Sequence, residues 1–177
     1  MKFFLVCLIF LSSCHVFANE TSSDAFCESK TTALTIFSKN DFTLNSQLCK
    51  NNDRSYNVHY LQNKTQNIFV KKQYEEMGYD APNLKAVSIF NKDHLPPLLI
   101  LLHSERICCY PRPEGEIYTI DLYKIIESKN TIQLQPYTTL LAKNSYGFEG
   151  QNNVREKVHF KFKDIASIKK WLEKNYK

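Results

Sequence analysis

Apolar and polar positions alternate along much of this chain, and the period lengthens only near its end. Tyr56, Val58 and Tyr60 alternate, which predicts a half-buried strand. Residues 33–37 and 42–44 read as short strands around the turn Ser38-Lys39-Asn40-Asp41, and residues 63–67 read as a second turn. Residues 68–74 fit two templates, the return strand of a hairpin or the start of a helix ending at Met77. The helix is preferred, because Tyr74-Glu75-Glu76-Met77-Gly78 carries a terminator and no β-branched residue. From Ala86 the pattern is β. Residues 86–90 form a strand, and residues 98–102 are apolar on both faces, as in a strand covered on both sides. Strands over 106–110 and 116–126 flank Pro111-Arg112-Pro113-Glu114-Gly115, a turn of fixed-φ and permissive residues. Strands over 131–135 and 137–141 are separated by Pro136, a polar loop covers 142–153, and residues 154–163 alternate strictly. Asp164 then caps a helix whose stripe is Ile165, Ile168 and Leu172, with lysines at its end where the dipole favours them. The expected fold class is α+β: a mostly antiparallel twisted β-sheet with a C-terminal α-helix packed on one face.

The first eighteen residues have a different character. Met1 and Lys2 give a positive start, residues 3–11 are unbroken apolar, and Val16-Phe17-Ala18 suits a signal peptidase. The apolar run is too short to span a bilayer. This predicts a signal peptide over 1–18, cleavage before Asn19, and one exported domain over 19–177, periplasmic or secreted. Leu11-Ser12-Ser13-Cys14 offers an alternative, a lipobox-like cut that would anchor the protein to a membrane through Cys14.

Composition narrows the partners. The whole chain has a formal charge of +5. Without residues 1–18 it holds 22 basic and 18 acidic residues, a net +4, too weak for a global claim on nucleic acid or membrane. The 12 Phe and 10 Tyr argue against disorder. Cys27, Cys49, Cys108 and Cys109 remain after export, and an even count in an exported chain favours disulfides. Loop closure favours Cys27–Cys49 as a local staple, which leaves Cys108 and Cys109 bonded to each other or reduced. No spacing matches a zinc site, and no cofactor is implied.

Two surfaces stand out. On a strand over 154–163, Arg155, Lys157, His159, Lys161 and Lys163 share one face, a basic ladder suited to an acidic partner. Its aromatics lie on the other face, which argues against nucleic acid. Tyr146 and Phe148, set between glycines in the polar loop, suit an anchor that enters a partner's pocket. For catalysis the candidates are His59, His94, His103 and His159 with Asp93, Glu105, Asp121 and Ser104. His103-Ser104-Glu105 is no triad, since neighbours on a strand point apart. No Gly-x-Ser-x-Gly, His-Glu-x-x-His or phosphate loop is present, so no catalytic residue is assigned.

The expected function is therefore binding without catalysis: an exported module, inhibitor or immunity-type protein that blocks another exported protein. Its contact residues would be Arg155, Lys157, His159, Lys161, Tyr146 and Phe148. The alternatives are an exported hydrolase with a scattered His and carboxylate site, and an envelope lipoprotein with a structural role.

Overall fold

The computed structural model describes residues 26–50, 54–75, 82–109, 111–129 and 131–177. The signal segment, Cys14, Met77 and Gly78 lie outside the described residues. The fold is mostly antiparallel β with one short C-terminal helix. Where one sheet is expected there are two.

The first sheet is a four-stranded meander of β1 (Phe26–Ile36), β2 (Lys39–Lys50), β3 (Ser55–Gln62) and β4 (Asn67–Tyr74), in chain order. Phe37 and Ser38 turn the first hairpin, both at positive φ (50° and 61°). The two-residue turn is tighter than the expected four-residue one, so the flanking strands extend through residues that read as loop. Cys27 stands opposite Cys49 in the β1–β2 register and is bridged to it. Residues 67–74 form a strand, not the preferred helix. Asn63 makes the difference: its Oδ1 accepts from the Thr65 and Gln66 backbone amides at 2.9 and 2.8 Å. That local turn sends the chain back along β3, whose ladder supplies partners no isolated helix propensity could outbid.

The second sheet centres on β7 (Glu114–Ser128). One edge of β7 pairs with β6 (Leu98–Ile107), which pairs with β5 (Asn83–Phe90). Its other edge is shared. β9 (Tyr146–Gln151) pairs with the first half and β8 (Thr131–Pro136) with the second. A 3₁₀ segment, Thr138–Ser145, joins them where a strand over 137–141 is expected, and β9 replaces part of the expected polar loop.

The strand expected over 154–163 is reduced to β10 (Lys157–Val158). Side chains compete for its backbone. Asn152 Oδ1 accepts from the Val154 and Glu156 amides at 3.1 and 2.8 Å, Arg155 takes φ 66°, and Glu149 accepts from the Phe160 amide at 2.7 Å. The Phe160 ring in turn lies where a Cβ on Gly147 would be, so that β9 position requires glycine.

The alternation of β6 places the core. Leu98, Ile100 and Leu102 share a buried cluster with Ile120, Leu122, Phe162, Ile168, Leu172 and Tyr176, residues of β7, the C-terminal segment and the helix α1 (Ile165–Asn175). Leu99 and Leu101 turn the other way. They join Leu34, Ile36, Phe42, Leu44 and Leu61 of the first sheet with Tyr123 and Ile125 of β7. Residues 98–102 are thus covered on both sides, as their composition predicts. Asp164 caps α1 as expected, accepting from the Ser167 amide at 2.7 Å.

Candidate functional site in the polar half between the sheets

The space between the sheets changes chemistry along its length. At one end it is filled by the apolar cluster just described. Two residues further along each strand, the same inward-facing rows turn polar. On the first sheet the Leu44–Leu61 row is followed by Ser46, His59 and Lys71, and then by Leu48, Asn57 and Gln73. On the second, Leu101 pairs with Asp121, His103 with Thr119, and Glu105 with Ile117. Thr119 pairs onward with Tyr146, and Ile117 with Phe148. Period-two alternation carries the inward rows of β2, β3, β6 and β7 into this region, and a register shift in the β3–β4 pairing brings Lys71 inward directly after Val70.

The polar rows meet in a chain that is hydrogen-bonded from Ser46 to His103 and continues to Asp121 by a longer contact. Ser46 Oγ lies 3.0 Å from His59 Nδ1. His59 Nε2 lies 3.0 Å from His103 Nε2. His103 Nδ1 is 3.5 Å from Asp121 Oδ2, and that same oxygen pairs with Lys71 Nζ at 2.5 Å. His59 is 0 % exposed and His103 1 %. Burial, with the Lys71 charge second, pushes His59 down to about 4. Burial also pushes His103 down to about 3, followed by the influence of His59 and Lys71. Both imidazoles are therefore neutral at pH 7. The carboxylate favours the His103 proton on Nδ1. His103 Nε2 then accepts from His59 Nε2–H, and His59 Nδ1 accepts from the Ser46 hydroxyl.

Two members of this chain line two separate cavities. His103 lines a cleft of about 320 Å³ together with Gln73, Ser104, Glu105, Thr119 and Tyr146. Gln73 Oε1 is buried there without a hydrogen-bond partner, and so is His103 Nδ1. Ser46 lines a second cavity of about 380 Å³ on the far side, with Asn57 and the strands β1 and β5. Among the described residues, no group of three His, Cys, Asp or Glu is placed to hold a metal ion. No described helix is long and apolar enough to cross a membrane.

Of the residues singled out by sequence, the structure brings His59, His103 and Asp121 together and sets Ser104 and Glu105 on the cleft wall. His94 stands apart in a loop at φ 63°, and His159 lies on the surface. Tyr146 is 57 % exposed at the cleft, and Phe148 follows it on the same face of β9. The basic residues do not form one strand ladder. Arg155 sits in a turn 3.9 Å from Glu114, Lys157 is on β10, and Lys161 lies 5.3 Å from the Phe162 ring. His159 and Lys163 both reach Glu149 Oε1, at 3.2 and 2.8 Å. Lys163, and next the Phe160 amide, hold the Glu149 carboxyl down to about 2, so it stays charged against them. Cys108 and Cys109 are bonded to each other just beyond β6.

Ser46, Lys71 and Gln73 were not anticipated. A faint signal exists for Ser46 alone, a polar residue at the period-two position of an apolar inward row, Leu44-x-Ser46-x-Leu48. Lys71 and Gln73 are out of phase with Ile68 and Val70 and come inward only through a register shift in the β3–β4 pairing. Comparison with known proteins adds no relative: no family model, no curated protein and no solved structure matches this chain.

Proposed function

We propose that the protein is an exported binding module, periplasmic or secreted after loss of residues 1–18, that blocks a partner protein in the manner of an inhibitor or immunity factor. In this reading α1 backs one face of the twisted second sheet, and the partner meets the rim at Tyr146 and Phe148. The observation that carries it is the cleft at that rim: about 320 Å³, with a buried acceptor, Gln73 Oε1, left without a partner beside an exposed tyrosine. A polar atom buried without a hydrogen bond costs about 1–3 kcal/mol, so a donor from a partner, in place of a water, would satisfy it there. Lys157 on β10 stands opposite Gln151, at the end of β9 away from Tyr146, so an acidic patch on the partner that meets Lys157 would run along β9 from the rim.

A photo-cross-linking residue at position 146, in the full-length protein in its own cells, is expected to yield one discrete adduct identified by mass spectrometry. The same residue at Phe69, exposed on the outer face of the first sheet, is expected to yield none. Equal labelling from both positions, or none from either, would remove the rim as a binding surface.

A second reading, an exported hydrolase, is favoured by the Ser46–His59–His103–Asp121 chain, which has the order of a nucleophile, a base and its orienting groups. It ranks second because an imidazole held to about 4 is a weak base at neutral pH. A fluorophosphonate probe decides between the readings. The binding reading expects Ser46 unlabelled, and labelling abolished by Ser46→Ala and His59→Gln would establish the enzyme.

A further inference from the structure

The two disulfides among the described residues are built differently. Cys27–Cys49 joins two strands across their register, at a sequence separation of 22, and Cys49 is 1 % exposed. Cys108–Cys109 joins neighbours, at a sequence separation of 1. A crosslink stabilises a fold mainly by closing a loop in the unfolded chain, and the gain shrinks with the loop. Between neighbours there is almost no loop to close. Nor does the local turn need the bond. The β6–β7 ladder ends where Ile107 pairs with Gly115, and beyond it the Arg112 amide donates to the Cys109 carbonyl at 3.1 Å. Pro111 and Pro113 fix two further φ angles in the same turn. Ile107 is buried, but Cys108 and Cys109 are both exposed. Cys109 also takes φ 84°, in the region that favours glycine.

We propose that Cys108–Cys109 is a thiol–disulfide exchange site, an exposed ring that a dithiol protein opens while the rest of the fold stands. A thiolate must reach a sulfur to attack it. Both ring sulfurs belong to exposed residues, whereas Cys49 is covered and the β1–β2 ladder holds Cys27 and Cys49 opposite each other. A thiolate of the partner attacks one ring sulfur and forms a mixed disulfide, while the other sulfur leaves as a thiolate and takes up a proton. The partner's second thiolate then attacks the partner's own sulfur in the mixed disulfide and releases the second cysteine, which is protonated in turn. Two electrons pass to Cys108 and Cys109, and the partner ends as a disulfide. The reverse reaction, with the disulfide form of the partner as oxidant, closes the ring. Opening frees Cys109 from its positive φ and puts two adjacent thiols at the tip of the β6–β7 hairpin, so that tip presents a different surface in each state. The exchange site stands apart from the cleft and does not depend on it.

The test is a redox titration of the folded, oxidised protein with dithiothreitol as the dithiol probe. At each step the free thiols are trapped with N-ethylmaleimide and located by peptide mass spectrometry, and the amide NMR spectrum is recorded in parallel. Double labelling of the peptide that holds Cys108 and Cys109 is expected at a reduced-to-oxidised dithiothreitol ratio at least about tenfold lower than labelling of Cys27 and Cys49. When the ring opens, the Cys108, Cys109 and Arg112 amides should shift, while those of Leu101 and Ile120 in the core stay in place. Oxidised dithiothreitol should restore the starting spectrum. The double variant Cys108→Ser, Cys109→Ser should keep the wild-type midpoint in urea, since the ring is not a staple. Opening of Cys27–Cys49 first or together with the ring would overturn the proposal. So would loss of the core amides as the ring opens, or a clear fall in the midpoint of the double variant.

Discussion

Lowering the pH from 7 to 4 is expected to destabilise the protein by on the order of 5 kcal/mol, through His59 and His103. In the unfolded chain both imidazoles titrate near 6.5. In the fold, burial holds His59 to about 4 and His103 to about 3. Between those values the unfolded chain binds more protons than the folded one, so unfolding gains as the pH drops. The stability these groups contribute is complete above about 6.5 and is lost as the pH falls toward the folded values. Each unit of separation is worth about 1.4 kcal/mol, and a domain has only about 5–15 kcal/mol to lose. Protonating one imidazole also opposes protonating the other 3.0 Å away, with Lys71 adding to the repulsion. Urea unfolding at pH 7, 6, 5 and 4.5 measures the slope. The double variant His59→Leu, His103→Leu should flatten it whatever its own stability. The Glu149 carboxyl, held to about 2 against an ordinary 4.5, begins to lose its contribution only at the lower end of this range, below the histidine slope between pH 7 and 5. A wild-type stability constant within about 1 kcal/mol between pH 7 and 4.5 would show that the imidazoles are not buried and neutral as a pair.

Where local chemistry decided the outcome, the sequence announced it. Asp164, the Ile165–Ile168–Leu172 stripe and the lysines beyond them specify a helix from within, and α1 forms there. The unbroken apolar run at 98–102 likewise announced a strand covered on both sides. The Cys27–Cys49 staple was legible because its residues are close in the chain. What stayed hidden depended on partners distant in sequence. The 68–74 segment resolves as a strand only once β3 lies beside it. The alternation at 154–163 is genuine, but Asn152 and Glu149 take the backbone groups a ladder would need. The candidate site was the least legible feature. His59 and His103 are 44 residues apart, and Lys71 and Asp121 are 50. Period-two patterning faces His59, His103 and Asp121 inward but would turn Lys71 outward, and it does not say that the same stretch of the two sheets will meet. Nor does it separate a buried, satisfied histidine from a surface one such as His159.

Lys71→Met is expected to cost about 4 kcal/mol, far more than the loss of one lysine contact on a surface. The Lys71–Asp121 pair crosses from one sheet to the other at 2.5 Å, and its side chains are only 23 % and 13 % exposed. Breaking such a pair from one side leaves a charge in a place water barely reaches, and that stranded charge accounts for most of the loss. Here it would be Asp121, which keeps His103 Nδ1 at 3.5 Å. A neutral imidazole offers it one long contact in place of an ion pair. The methionine keeps most of the lysine stem's volume, so the deficit is electrostatic rather than a cavity. The reciprocal change, Asp121→Asn, should cost less, because Lys71 has a longer stem and can turn its ammonium toward solvent. Removing both charges in Lys71→Met, Asp121→Leu should recover at least half of the single-variant loss, since a matched apolar pair strands nothing. Chemical denaturation of the four proteins at pH 7 closes the cycle, and the non-additive remainder measures the coupling directly. If Lys71→Met loses less than about 1 kcal/mol, the pair behaves as a surface ion pair, and the polar half between the sheets is wetter than its exposures imply.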